Sequence, residues 1–249
     1  MLSALLDLVF APVCLGCDSC IAPGDSARLV CRRCRTRLRT PPPPCCARCG
    51  APLRATGRRP QLYGCPDCAP WPESLSLARA ACLLQPPADR LVHQLKYRGW
   101  RALAEPVAKR MASVSMPADV MRETEVCVPV PTTPRRLRER GYHQAECIAR
   151  SFARRTGRDV RLVLERVGDA SSQTALQAAA RKANVASAFS VRSGERLTIR
   201  NAHLLLVDDV LTTGATAIEC ATTLVLAGAR CVSLITFARA LDSRRLAQT

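Results

Sequence analysis

Aromatic residues are scarce in this chain: Phe, Tyr and Trp make up 4% of its 249 residues, so it has no ladder of rings on which the successive bases of a nucleic acid would stack. Lysine is rarer than the charge suggests, with only Lys96, Lys109 and Lys182, and arginine carries the rest of the basic character. No apolar run is long enough to span a bilayer. Met1 to Phe10 has no positive leading segment and carries Asp7, which does not fit an export signal. These absences point to a cytoplasmic chain without a membrane span, in which residues 1 to 12 form a short amphipathic helix. Two nucleotide-binding signatures are also missing. No G-x-x-x-x-G-K-[ST] occurs, and the single Gly214 does not supply the three-glycine turn of a dinucleotide fold.

Arginine and cysteine are what the chain has in quantity. A formal net charge of +17 implies anionic partners, either phosphorylated small molecules or nucleic acid. Of the 15 cysteines, most between Cys14 and Cys82 fall in C-x-x-C pairs, whereas Cys127, Cys147, Cys220 and Cys231 stand singly. In a reducing compartment paired cysteines read as metal ligands and single ones as small buried hydrophobes. Cys14/Cys17 with Cys31/Cys34, and Cys46/Cys49 with Cys65/Cys68, are pairs of pairs separated by 13 and 15 residues. That is zinc-ribbon spacing, with four thiolates closing a structural Zn²⁺ site. Cys20 and Cys45 are surplus, and either is able to replace a neighbour. The segment is proline-rich and too short for a core of its own, so metal supplies its folding free energy, on the order of 10 kcal/mol per site.

Leu204 to Val207 reads as a strand buried on both faces, as in a parallel sheet covered by helices. Asp208 and Asp209 stand at its end, and Leu211 to Thr216 (Leu-Thr-Thr-Gly-Ala-Thr) leads into a helix over 215 to 227, followed by Gly228 and a strand from Cys231 to Phe237. The unit is βαβ. It sets two carboxylates at the carboxyl edge of the sheet, beside backbone amides at a helix N-terminus. Such a corner suits a sugar phosphate, with acids accepting from ribose hydroxyls and amides holding the 5′-phosphate.

The remaining stretches supply cations and a second strand. Leu75 to Leu84 suits a strand and Ala88 to Leu95 a helix, with Lys96 to Gly99 a basic turn before a helix over 101 to 111. That turn reads equally as solvated charge or as cations near a polyphosphate. A strand from Glu125 is stopped by Pro129 and Pro131. The loop Val130, Pro131, Thr132, Thr133, followed by Arg135, Arg136, Arg138 and Arg140, is a candidate diphosphate seat. A helix over 141 to 156 and a strand over 160 to 164 follow. Residues 166 to 189 then form a polar loop, 196 to 201 lead into the central strand, and the tail past Arg239 is expected to fray.

Taken together, the four C-x-x-C turns, His93 to Gly99 (His-Gln-Leu-Lys-Tyr-Arg-Gly), Val128 to Pro131, Arg138 to Tyr142, Gln173 with Arg181 and Asn184, and Val207 to Thr216 resemble the ComF family. This family joins a double zinc ribbon to a type I phosphoribosyltransferase-like domain and is associated with natural competence. His143 departs from the pattern, which has asparagine there. The resemblance implies an α/β fold with an open, mainly parallel sheet. It divides the chain into a double zinc-ribbon segment (1–72) and a phosphoribosyltransferase-like domain (73–249). It implies phosphoribosyl diphosphate (PRPP) held with Mg²⁺ and transferred to an unnamed acceptor, with Asp208 and Asp209 on the ribose and Asp209 assisting a proton transfer. In the same scheme Thr212, Thr213, Gly214, Ala215 and Thr216 hold the 5′-phosphate, Val130 to Thr133 the diphosphate, and Leu211 is a further PRPP-binding residue. Lys96, Arg98, Arg138, Arg140, Arg166, Gln173, Arg181 and Asn184 line the diphosphate and its flexible cover. The other reading is a non-catalytic module for single-stranded DNA in uptake, using the same basic surface, with competence or recombination proteins as partners.

Overall fold

The computed structural model describes residues 12–22, 25, 27–53, 65–167 and 188–241. The expected N-terminal helix, the tail past 241, and Gln173, Arg181 and Asn184 of the flexible cover lie outside the described residues. Helix α1 (Arg32–Thr36) belongs to the cysteine-rich segment. The chain continues through β1 (Leu75–Leu83), α2 (Ala88–Tyr97), a 3₁₀ turn (Arg101–Leu103), α3 (Ala104–Ala112), α4 (Ala118–Glu123), β2 (Thr124–Pro129), α5 (Pro134–Arg140), α6 (Gln144–Thr156) and β3 (Asp159–Val160). Then come β4 (Leu164–Arg166), β5 (Phe189–Val191), α7 (Arg196–Ile199), β6 (His203–Leu211), α8 (Ala215–Leu226) and β7 (Cys231–Arg239).

Five strands form one sheet in the order β1-β7-β6-β2-β3, all pairs parallel. Consecutive side chains of a strand point to opposite faces, and β6 separates two cores in that way. Leu205 and Val207 pack with Leu91, Leu95, Met111 and Phe152 of the α2–α3–α6 face, whereas Leu204 and Leu206 pack with Cys220, Ala221 and Leu224 of α8. Each core also takes in one cysteine cluster: Cys14 and Cys34 join the first face, and Cys46, Cys49, Cys65, Cys68 and Trp71 the second. Among the described residues no helix is long and apolar enough to cross a membrane.

Several boundaries differ from the sequence reading. The central strand does not stop before the acids: Asp208 pairs with Thr236 and Leu211 with Arg239, because β7 is equally long and continues the ladder. Lys96 and Tyr97 form the last turn of α2 rather than a loop, and Gly99 (φ +75°) follows the break. Residues 134 to 140 are a helix of their own, ended by Gly141 (φ +74°), and α6 starts only at Gln144. The strand expected over 160 to 164 is divided. Residues 159 and 160 pair with β2, while 164 to 166 pair antiparallel with β5 in a separate two-stranded sheet. Residues 196 to 199 are helical.

Candidate functional site

The site is built at the carboxyl edge of β6. Asp209 is buried and Asp208 keeps some solvent access. The following turn is open: Thr212, Thr213, Ala215 and Thr216 are all exposed, while Gly214 is buried with φ +88°. Helix α8 has no side-chain N-cap, and the Ala215 N–H reaches the Thr213 hydroxyl only at 3.4 Å. A helix start with uncapped amides carries partial positive charge and suits an anion.

The two acids have different surroundings. Lys96, from the end of α2, places Nζ 2.9 Å from Asp209 Oδ1, while Asp209 Oδ2 is buried without a hydrogen-bond partner. Asp208 Oδ1 accepts from the Asp209 N–H at 2.8 Å. Burial, followed by the neighbouring Asp209 charge, pushes the Asp208 carboxyl up to about 8, against the opposing pull of that N–H and of Lys96. Lys96 is in turn fixed by its neighbours: the Tyr142 hydroxyl donates to the Leu95 carbonyl, and the Arg140 guanidinium lies 5.3 Å over the Tyr97 ring.

The loop Val130 to Thr133 follows β2, the strand beside β6. The Val130 N–H donates to the Val207 carbonyl at 3.0 Å, tying the loop to the central strand. Thr133 is the N-cap of α5, its hydroxyl accepting from the Arg136 N–H at 3.1 Å, so of the two hydroxyls only that of Thr132 is buried without a partner. His143 Nε2 lies 2.9 Å from the Val130 carbonyl. A carbonyl only accepts, so this nitrogen carries the proton, and burial lowers the His143 pKa. His143 therefore braces the loop. A cavity of about 580 Å³ is lined by Pro129, Thr132, His143, Glu165, Arg166 and Arg192 among others, and neither the acid pair nor the Thr212–Thr216 turn contributes to its lining. Arg98 and Arg138 are exposed, and Arg166 lies 5.2 Å over the Phe189 ring.

The cysteine sets match the expected pairings. The Sγ atoms of Cys14, Cys17, Cys31 and Cys34 lie within 4.8 Å of one another, as do those of Cys46, Cys49, Cys65 and Cys68. Pair distances of 3.8 Å (Cys17–Cys31), 3.7 Å (Cys46–Cys68) and 3.5 Å (Cys49–Cys65) suit a tetrahedron with Zn–S bonds of about 2.3 Å, whose edges are about 3.8 Å. Cys14 Sγ also accepts from the Gly16 and Cys31 N–H groups, each at 3.3 Å, the outer-shell support thiolate sites use. These donors fit Zn²⁺. Cys20 is exposed, and Cys45 Sγ turns to the Pro42 carbonyl at 3.3 Å, so both surplus thiols stand outside the clusters.

Residues that spacing did not reveal join the second cluster to the sheet. Arg48, between two ligands, donates to the carbonyls of Cys68 (3.1 Å), Trp71 (3.1 Å), Pro72 (2.6 Å) and Leu75 (3.0 Å). Arg239, buried at the end of β7, donates to the Cys49 carbonyl at 2.7 Å. The only sequence signal for Trp71 is its position three residues past Cys68.

The double zinc ribbon domain family matches residues 5–69. The DNA utilization protein YhgH of Salmonella typhimurium (strain LT2) is 30% identical over 214 residues, covering 78% of this chain and 90% of that protein. The protein of that name from Escherichia coli (strain K12) is 29% identical over 232 residues, covering 90% and 84%. Among solved structures, the allosteric regulatory enzyme of purine biosynthesis is similar at 24% identity and TM-score 0.38, covering 54% of this chain and 25% of the enzyme. Glutamine PRPP amidotransferase from B. subtilis is similar at 22% identity and TM-score 0.39, covering 54% and 26%. The chain thus spans about a quarter of the length of those two enzymes. Two cysteine clusters of ribbon geometry, an all-parallel sheet with an acid pair at its central strand, and alignment along most of the chain place this protein in the ComF family, together with the DNA utilization proteins YhgH.

Proposed function

We propose that this chain binds PRPP with Mg²⁺ at the carboxyl edge of β6 and transfers the phosphoribosyl group to an acceptor. The observation that carries the reading is the pairing of Asp208 and Asp209 with the open, uncapped turn at Thr212 to Thr216. The orphaned Asp209 Oδ2 is an acceptor that a ribose hydroxyl would complete, and the orphaned Thr132 hydroxyl is a donor that a phosphate oxygen would complete. In this scheme the turn holds the 5′-phosphate, the acids accept from the ribose hydroxyls, and the Val130–Thr133 loop carries the diphosphate. Mg²⁺ bound together with PRPP would supply charge neutralisation beside Asp208 and Asp209. The C1–O bond to diphosphate breaks with its electron pair leaving on the diphosphate. The acceptor's lone pair closes on C1, and the acceptor loses its proton to Asp209 or to solvent. In this reading catalysis is electrostatic positioning, with Lys96, Arg98, Arg138, Arg140 and Arg166 as the cations assigned to the diphosphate.

Titrating Mg·PRPP by calorimetry is expected to give saturable binding that Asp208→Asn with Asp209→Asn abolishes. A screen for diphosphate release across nucleobases, amines and water identifies the acceptor. Absence of binding, or binding indifferent to both substitutions, rejects the reading.

A second reading, association with single-stranded DNA during uptake in the cytoplasm alongside competence or recombination proteins, is favoured by the relatives' name and by the exposed Arg32, Arg33, Arg37 and Arg39 of the first ribbon. Phosphate contacts release counterions, so binding must weaken steeply with salt. A flat salt response, or affinity no higher than that of an equally basic control protein, rejects it.

A further inference from the structure

We infer that the second zinc ribbon is part of the phosphate-binding apparatus, and that Trp71 is the positioning residue through which it shapes the Thr212–Thr216 turn. The inference rests on the PRPP reading and adds to it the element that holds the turn. The turn has little to hold it locally: α8 lacks a side-chain cap, and the hydrogen bond from Ala215 N–H to Thr213 is long, at 3.4 Å. Its support comes from outside. A methyl group placed on Gly214 would come within 2.9 Å of Trp71 Cζ2 and 3.2 Å of Cε2, and within 3.6 Å of Leu211 Cδ1. The indole therefore lies directly against the glycine backbone, at a residue whose φ of +88° already favours glycine.

Trp71 is in turn set by the zinc site. Its backbone N–H donates to the Cys68 carbonyl at 3.0 Å. Arg48, between Cys46 and Cys49, grips the Cys68 and Trp71 carbonyls. Arg239 joins the other side: its backbone is in register with Leu211, which begins the turn, and its guanidinium holds the Cys49 carbonyl. Two short paths thus run from the cysteine cluster to the turn, one through the Trp71 ring and one through Arg239. The first ribbon packs into the core of the opposite sheet face. Zinc bound at Cys46, Cys49, Cys65 and Cys68 and anion bound at Thr212 to Thr216 then favour the same arrangement of Trp71, and linkage requires each to strengthen the other by the same factor.

The chain has only Trp71 and Trp100, so Trp100→Phe leaves Trp71 as the single tryptophan reporter. In that protein, Mg·PRPP and inorganic phosphate titrated separately are expected to change Trp71 emission saturably, and stripping zinc is expected to weaken both. In wild-type background Trp71→Ala is expected to weaken Mg·PRPP by about tenfold, with Trp71→Phe restoring affinity to within about threefold, both checked for full zinc content and native circular dichroism. If Trp71→Ala fails to fold, the emission titration and Trp71→Phe decide alone. If Mg·PRPP binds in a manner sensitive to Asp208→Asn but Trp71 emission does not respond and neither Trp71 variant changes affinity, the inference is overturned and the PRPP reading stands. If the wild-type protein binds neither PRPP nor phosphate, both fall.

Discussion

At the scale of single residues, Asp208 and Lys96 give the sharpest expectations. Asp208 titrates at about 8 in the folded chain, far above an unfolded carboxylate, so the folded state holds a proton that the unfolded state has released. Its contribution to stability is complete below the unfolded carboxylate range and is lost as pH rises towards about 8. Ligand binding has the opposite sign, because Mg²⁺ and hydroxyl donors prefer the ionised acid and must expel that proton. Calorimetry across pH 6 to 9 should therefore show Mg·PRPP affinity rising up to about pH 8 and then levelling, with Asp208→Asn flattening the profile. Lys96→Ala leaves a buried Asp209 without its counterion, which should cost up to about 3 kcal/mol in urea unfolding. Adding Asp209→Asn should recover most of the loss. The acids and hydroxyls were legible from their spacing, but the Lys96–Asp209 pair was not. It joins α2 to β6 across the core, and adjacency along the chain carries no trace of such a contact. The bracing role of His143 was hidden for the same reason.

Among the elements, β6 was the plainest to read, since four apolar residues in succession, followed by acids and a turn, suit a strand covered on both faces. Leu205 and Leu206 are fully buried, one in each core. Truncating either to alanine should therefore lower stability by about 2 to 5 kcal/mol, and thermal melts should rank both well above the exposed Leu226→Ala. Element ends were harder to see. The extension of β6 past the acids depends on the ladder offered by β7, and the split of 160–164 depends on which neighbour each half meets; both are properties of the partner strand. Helix α5 escaped notice because its residues are largely exposed, which leaves no apolar period to detect.

For the whole molecule, the two ribbons also seal an edge of the sheet. The outer side of β1 is met by the cysteine-rich segment, with Ala78 N–H donating to the Arg48 carbonyl at 2.9 Å and Leu83 N–H to the Arg39 carbonyl at 2.7 Å. Uncovered strand edges recruit other chains. Stripping zinc with a strong chelator should remove on the order of 10 kcal/mol of binding free energy per site. It should also expose β1, so that the melting temperature falls and light scattering rises with protein concentration; zinc re-addition before heating should prevent both. The four C-x-x-C turns announced the metal sites, but nothing in them indicated that the ribbons would be absorbed into two separate cores.

The pairing of β1 with β7 has a further consequence, for synthesis. The Ser76 hydroxyl meets the Val232 carbonyl across 156 positions of chain, so the first strand to leave the ribosome waits for the last before it is completed on that side. The cysteine clusters emerge earlier still and have all their ligands long before their docking surface exists. A nascent chain halted before Cys231 should accordingly take up two zinc ions while its sheet remains open to protease.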